Sequence, residues 1–280
     1  MTNIRAPRRR AFAAAVAMTL ASALTGLGGC AGVPQGSERN LAADHDGQLA
    51  QLLRIAERTR AGGDPAAAAS LYERAHALAP ADPAPLIGLA ETAAAAGAWD
   101  QAADGYRRAV SLEPRSLAAH RGFAGVLVRL NRPELAANHY RSAIALDPAD
   151  FRLHNGLGIA LDLAGNHADA QQSYIDAIER VPDNLSLRNN LGLSLALGGE
   201  LAEAVSLLRE TAAILGDTRR IRQNLALVLT LAGQEDQAVG VLRRDLSEQD
   251  AFANLDYFAS LRGASGSEIA ATVLGLPAAM

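Results

Sequence analysis

Four stretches decide the fold: AASLYERAHALAP (68–80), AADGYRRAVSLEP (102–114), AANHYRSAIALDP (136–148) and AQQSYIDAIERVP (170–182). Aligned, they stack Ala68, Ala102, Ala136 and Ala170; Tyr72, Tyr106, Tyr140 and Tyr174; Ala75, Ala109, Ala143 and Ala177; and Pro80, Pro114, Pro148 and Pro182. Every column steps by 34 residues. Self-similarity at a fixed period marks a stacked array, in which no unit buries its apolar face without its neighbours.

The register extends outward to six units: 49–82, 83–116, 117–150, 151–184, 185–218 and 219–252. Each reads as two helices. The seventh position is large (Ile55, Leu89, Phe123, Leu157, Leu191, Leu225) and the eighth small (Ala56, Ala90, Ala124, Gly158, Gly192, Ala226), a pairing that suits close helix packing. The fifteenth position (Gly63, Gly97, Asn131, Gly165, Gly199, Gly233) offers residues that tolerate a left-handed backbone where the first helix must stop. Pro65 and Pro133 stand two residues later, in the first turn of a second helix, where a missing N–H costs nothing. The 34-spaced prolines close that second helix. In the last two units the tyrosine becomes Leu208 and Leu242 and the proline becomes Gly216 and Asp250, as expected of array ends. Residues 249–262, with Phe252, Leu255, Phe258 and Leu261 at helical spacing, read as a capping helix, 263–280 as a flexible tail and 30–48 as a flexible tether.

Large and small residues at positions seven and eight, with Ala at twenty, an aromatic at twenty-four, Ala at twenty-seven and Pro at thirty-two, resemble the tetratricopeptide repeat (TPR) family. That resemblance implies an all-α superhelical solenoid of about six helix-turn-helix repeats with a C-terminal capping helix. It also implies that the first helices line a concave groove for an extended segment or helix of a protein partner. Positions two, five, nine and twelve usually face that groove. In units three to five they bring together Arg121, Arg152, Asn155, Asp162 and Asn189, a set able to pair with a carboxylate or with peptide amides.

The first 29 residues carry Arg5, Arg8, Arg9 and Arg10, an apolar run from Ala11 to Leu24, and small residues up to Cys30. That is a signal-peptide layout, its run of about 14 residues falling short of the roughly 20 a spanning helix needs. Leu27, Gly28, Gly29 and Cys30 resemble the lipobox of bacterial lipoproteins, which implies a covalent lipid on Cys30, the only cysteine, and no other cofactor. Ala31 follows where an aspartate would resemble an inner-membrane retention signal, so the expected site is the periplasmic face of the outer membrane. Arg9-Arg10-Ala11-Phe12 also resembles a twin-arginine core, and the export route stays open between that and the general pathway. Loss of the four arginines moves the net charge from −4 to −8. An acidic body does not seek anionic lipid by itself, so the lipid must hold it at the membrane.

A mild negative charge and aromatics at 4% argue against nucleic acid. No phosphate loop, Gly-x-Ser-x-Gly or nucleophile–histidine motif is found, so neither catalysis nor a small-molecule substrate is expected. His120 and His154 share the fourth position of adjacent units without a carboxylate or thiolate at ligand spacing, which reads as packing and not metal. Trp99, just after Gly97, reads as an anchor for its helix.

Lipobox, six repeats and the ending Arg243-Arg244-Asp245-Leu246-Ser247, Asn254-Leu255-Asp256-Tyr257-Phe258 and Leu261-Arg262 together resemble the TadD lipoproteins of tight-adherence (Flp) pilus systems. The resemblance implies a scaffold whose partner is the secretin or another pilus or secretion component. A pilotin or scaffold of another envelope machine, such as a type IV pilus or barrel-assembly complex, and an activator of a wall or polysaccharide synthase are the alternatives.

Overall fold

The computed structural model describes residues 35–214 and 218–276. The proposed signal peptide and the residues Leu27 to Cys30 lie outside that range. The chain divides into Met1–Ala43, of which the described part is the beginning of one helix, and a compact unit, Asp44–Met280.

The helices are α1 (Gln35–Ala61), α2 (Pro65–Leu78), α3 (Ala84–Ala95), α4 (Trp99–Leu112), α5 (Leu117–Arg129), α6 (Pro133–Leu146), α7 (Phe151–Leu163), α8 (His167–Arg180), α9 (Leu185–Leu197), α10 (Leu201–Ala213), α11 (Arg219–Leu231), α12 (Glu235–Leu242), α13 (Glu248–Ser260) and α14 (Gly266–Val273), with a 3-10 turn, Leu261–Gly263, between the last two. Each helix from α2 to α12 packs on the next in sequence, making an all-α solenoid of consecutive pairs. Two expectations need correction. The stretch 30–48, read as a flexible tether, is helical from Gln35, with no proline after Pro34 to interrupt it. The stretch 263–280, read as a flexible tail, carries α14.

Local chemistry explains the punctuation. Gly63, Gly97, Gly165, Gly199 and Gly233 have φ between 74° and 90°, and Asn131 has φ 53°, so the fifteenth position is left-handed in all six units. The amide after it bonds back to the end of the first helix, as Ala98 N does to Ala93 O (2.9 Å) and Gln234 N to Leu229 O (2.8 Å). Those bonds satisfy carbonyls that the helix end would otherwise orphan. Second helices then start on Pro65 and Pro133 at the first turn.

The seam between units is a tyrosine laid over a glycine. A Cβ built on Gly88, Gly122 or Gly156 would fall 2.2, 2.3 or 2.4 Å from the ring of Tyr72, Tyr106 or Tyr140 of the preceding unit. Only glycine at this sixth position admits the ring. In unit five the sixth position is Asn190, and Tyr174 instead presses on Gly158 of its own unit, its hydroxyl donating to Asp162 Oδ2 (3.1 Å). His120 and His154 also have packing roles: Nε2 of each lies 3.1 Å from the carbonyl of Pro114 or Pro148, tying a first helix to the turn before it.

Candidate functional site

First helices touch one another along the array, α3 to α5, α5 to α7, α7 to α9 and α9 to α11, and so form its inner layer. That layer is the candidate site, and its two halves differ. At position nine, units one to three carry Glu57, Glu91 and Gly125, and at position thirteen Ala61, Ala95 and Arg129. Units four to six carry Ile159, Leu193 and Leu227 at nine, and Leu163, Leu197 and Leu231 at thirteen. Two aliphatic rows therefore run across α7, α9 and α11.

Helix α14 lies on these rows, packed against α7 and α9. Leu163, Leu197 and Leu227 form one buried cluster with Ile269, Ala270, Ala271 and Leu276, and Ile159, Leu193, Leu231, Val273 and Leu274 pack around it. The helix is built to start and stop there. Ser265 and Glu268 make a reciprocal capping box, and Gly275 (φ 64°) ends the helix while Leu276 N bonds to Ala271 O (2.9 Å). Its approach is close: a Cβ on Gly266 would lie 2.4 Å from His167 Nε2 and 2.5 Å from Leu197 O.

Beneath this helix sits a buried carboxylate. Asp162, 5% exposed, receives hydrogen bonds from Ser194 Oγ (2.7 Å) and Tyr174 Oη (3.1 Å), and His167 Nδ1 lies 2.9 Å away. Burial first, and the nearby Asp162 carboxylate second, hold the Tyr174 phenol well above its usual range, so it stays a hydrogen-bond donor. Beside it runs a chain of amides. Asn190 Nδ2 donates to Asn155 Oδ1 (2.9 Å), Asn189 Nδ2 to Asn190 Oδ1 (3.4 Å) and Asn224 Nδ2 to Asn189 Oδ1 (3.1 Å), linking α7, α9 and α11.

The five residues expected to converge are thus divided. Asn155 and Asn189 share the amide chain, Asp162 anchors the buried hub, and Arg121 and Arg152 are exposed on α5 and α7. Arg152 has a side chain 70% exposed, lies over the Phe151 ring and stands 3.6 Å from Asp150. Arg121 lies near the Tyr106 and Tyr140 phenols, which burial pushes up to about 12 and which its charge partly offsets. Trp99 is half-buried with the Arg129 guanidinium 5.2 Å from its ring. The aliphatic rows escaped the sequence reading, although their 34-residue spacing at positions nine and thirteen was available to find them.

The C-terminal signature has structural work of its own. Arg222 of α11 forks onto Asp245 at 2.6 and 2.7 Å, and Ser247 caps α13. Arg262 donates from Nε and Nη2 to the Thr230 carbonyl at 3.1 and 2.9 Å. These contacts fasten the capping helix and aim the chain back toward the inner face.

Comparison with known proteins gives the tetratricopeptide repeat at residues 60–110, 122–170 and 164–217, together about half of the chain. No curated protein matches. Among solved structures, a tetratricopeptide repeat protein from Parabacteroides merdae is similar at 16% identity and a TM-score of 0.66, covering 81% of this chain and 98% of its own. PilF of Pseudomonas aeruginosa is similar at 17% identity and a TM-score of 0.59, covering 75% and 98%. YrrB, described as a TPR protein with an unusual peptide-binding site, is similar at 19% identity and a TM-score of 0.55, covering 59% and 86%. At these identities the likeness is one of fold.

Proposed function

This chain belongs to the tetratricopeptide repeat family, and from that premise we propose that it is a periplasmic scaffold, lipid-anchored to the outer membrane through Cys30, that assembles a tight-adherence (Flp/type IVb) pilus or secretion machine. It acts by holding protein partners, such as the secretin, and not by catalysis. The observation that carries the scaffold reading is that the inner face of units four to six accommodates a helix. Peptide binding by YrrB, a protein of similar fold, supports the same reading. The envelope assignment rests on the lipobox-like Leu27, Gly28, Gly29 and Cys30 and on the TadD-like ending from Arg243 to Arg262. A lipid at Cys30 suits a body whose net charge is −8 after the signal, since that body gains nothing from anionic headgroups.

The test is a detergent-phase pull-down of the full chain and of Cys30→Ser from native envelopes, with partners identified by mass. Recovery of a pilus secretin or its neighbours by the wild type, reduced in the variant, is the expected result. A wild-type chain found in the aqueous phase removes the anchor, and recovery of a wall synthase removes the pilus assignment while keeping the scaffold.

A further inference from the structure

Six aliphatic side chains in two rows would be a liability on an open face, and the chain covers them with thirteen of its own residues, 264–276. We infer that this face is a binding groove for a short amphipathic helix of a partner protein, one with two adjacent small residues flanked by large aliphatic ones, and that α14 is an intramolecular stand-in which that helix displaces. The inference needs the array to be a scaffold but is independent of the pilus assignment.

Four observations carry it. The rows are confined to units four to six, so they are not a property that every unit needs for folding. The pattern of the occupant, Ile269, Ala270, Ala271, Val273, Leu274 and Leu276, states what fits: two small buried residues with large aliphatic ones to either side. The occupant is also weakly self-sufficient. Helix α14 has eight residues, below the roughly 12–15 at which an isolated helix holds in water, so it is ordered by the groove and reverts to coil on leaving. Finally the fit is incomplete. Between α11, α13 and α14 a cleft of about 230 Å³, walled by Asn224, Leu227, Tyr257, Phe258 and Val273, stays unfilled, leaving space for a bulkier helix.

The hinge suits displacement. The segment leaves α13 through the 3-10 turn, which Arg262 pins to the Thr230 carbonyl, and an extended Ala264, and a Cβ on Gly263 would meet nothing within 4 Å, so the hinge lies just after that anchor. A short tether holds the segment at an effective concentration on the order of millimolar, so a partner must match the groove better or arrive at high local concentration. Occupancy by the tail lowers a competitor's apparent affinity by the fraction of time the groove is open, and a tail docked nine-tenths of the time lowers it tenfold.

The experiment uses the full chain and, as probe, a fluorescent peptide of residues 261–276, with binding read by anisotropy. Ile269→Asp on the tail should bind the peptide at least tenfold more tightly than the wild type, and adding Leu193→Asp in the groove should abolish that gain. Circular dichroism confirms that each variant is folded. A second measurement needs no variant: excess unlabelled peptide should speed hydrogen exchange of the wild-type 264–276 segment and leave α5 and α6 unchanged. Equal binding to wild type and Ile269→Asp, or no binding to either with tail exchange unmoved, overturns the inference. Should the peptide fail while wild-type pull-downs still recover envelope partners, the tail inference falls and the scaffold reading stands. Peptide binding with no partner recovered removes the partner helix together with the scaffold reading and leaves only reversible docking of the tail.

Discussion

Replacing Gly122 by alanine should weaken the array even though alanine is the better helix former. Gly122 lies inside α5, where propensity alone favours alanine by about 1 kcal/mol. The added Cβ, however, would stand 2.3 Å from Cε1 and Cζ of Tyr106 and 2.6 Å from its hydroxyl oxygen, against the roughly 3.5–4.0 Å at which carbons rest. The ring must retreat by more than about 1 Å, and it is only 4% exposed, so its neighbours must move as well. Overpacking of this kind costs about 1–3 kcal/mol and offsets the propensity gain, leaving a net loss of up to about 2 kcal/mol. For a body of this size that lowers Tm by up to about 8 °C. Gly240→Ala in α12, where a Cβ meets nothing within 4 Å, should instead raise stability by about 0.5–1 kcal/mol. Thermal unfolding followed by far-ultraviolet circular dichroism reads both. In a Tyr106→Ala background the Gly122→Ala penalty should vanish, since the coupling resides in one contact. A Gly122→Ala chain that gains stability in parallel with Gly240→Ala would refute the tyrosine-over-glycine seam.

Asp162→Ala strips the acceptor from Ser194, Tyr174 and His167 and should cost about 2–4 kcal/mol in urea unfolding, since each buried donor left unpaired costs about 1–3 kcal/mol. The His120–His139 contact predicts a pH dependence. His120 Nε2 faces the Pro114 carbonyl as donor, so its neutral Nδ1 accepts from Nδ1–H of His139 at 2.9 Å. Burial, and then His120, hold the His139 pKa below its ordinary 6.5. Between that depressed value and 6.5 the unfolded chain takes up a proton that the folded chain refuses, so stability is whole above pH 6.5 and falls as the pH is lowered beneath it. His139→Gln should flatten the chevron-derived stability profile in that window, and an unchanged slope would remove the assignment.

Most of the array was legible because its determinants repeat. Columns such as Tyr72 to Tyr174 and Gly63 to Gly233 each answer one local need, a filler between units or a left-handed stop, and four to six repetitions make them visible above composition. Gly88, Gly122 and Gly156 repeat too, but a glycine inside a helix says nothing until the ring that needs the space is in place. The tail was illegible for a different reason. Its capping box, Ser265 to Glu268, was a local signal, but the helix is short and is ordered by aliphatic rows that lie far away in sequence, so that signal alone did not place it. The groove candidates Asp162 and Asn189, polar residues at nominally outward positions, are buried and satisfied internally; only the positions of Tyr174, Ser194 and Asn224 reveal that.

Stacked repeats ordinarily melt as a chain of nearest-neighbour links, each unit coupled only to those beside it. The back-folded segment breaks that rule at one end. Lying at once on α7 and α9, and sharing a cluster with Leu227 and Leu231 of α11, it bridges units four, five and six and makes the loosening of any one of them felt by all three. Units one to three have no such strap among the described residues and keep the graded, link-by-link character. Amide exchange should then show α7 to α12 opening in a single step, with α2 to α6 fraying progressively from the N-terminal side. Release of the segment would return the rear half to the same graded behaviour, so engaging a partner would change how the array holds together as well as what it holds.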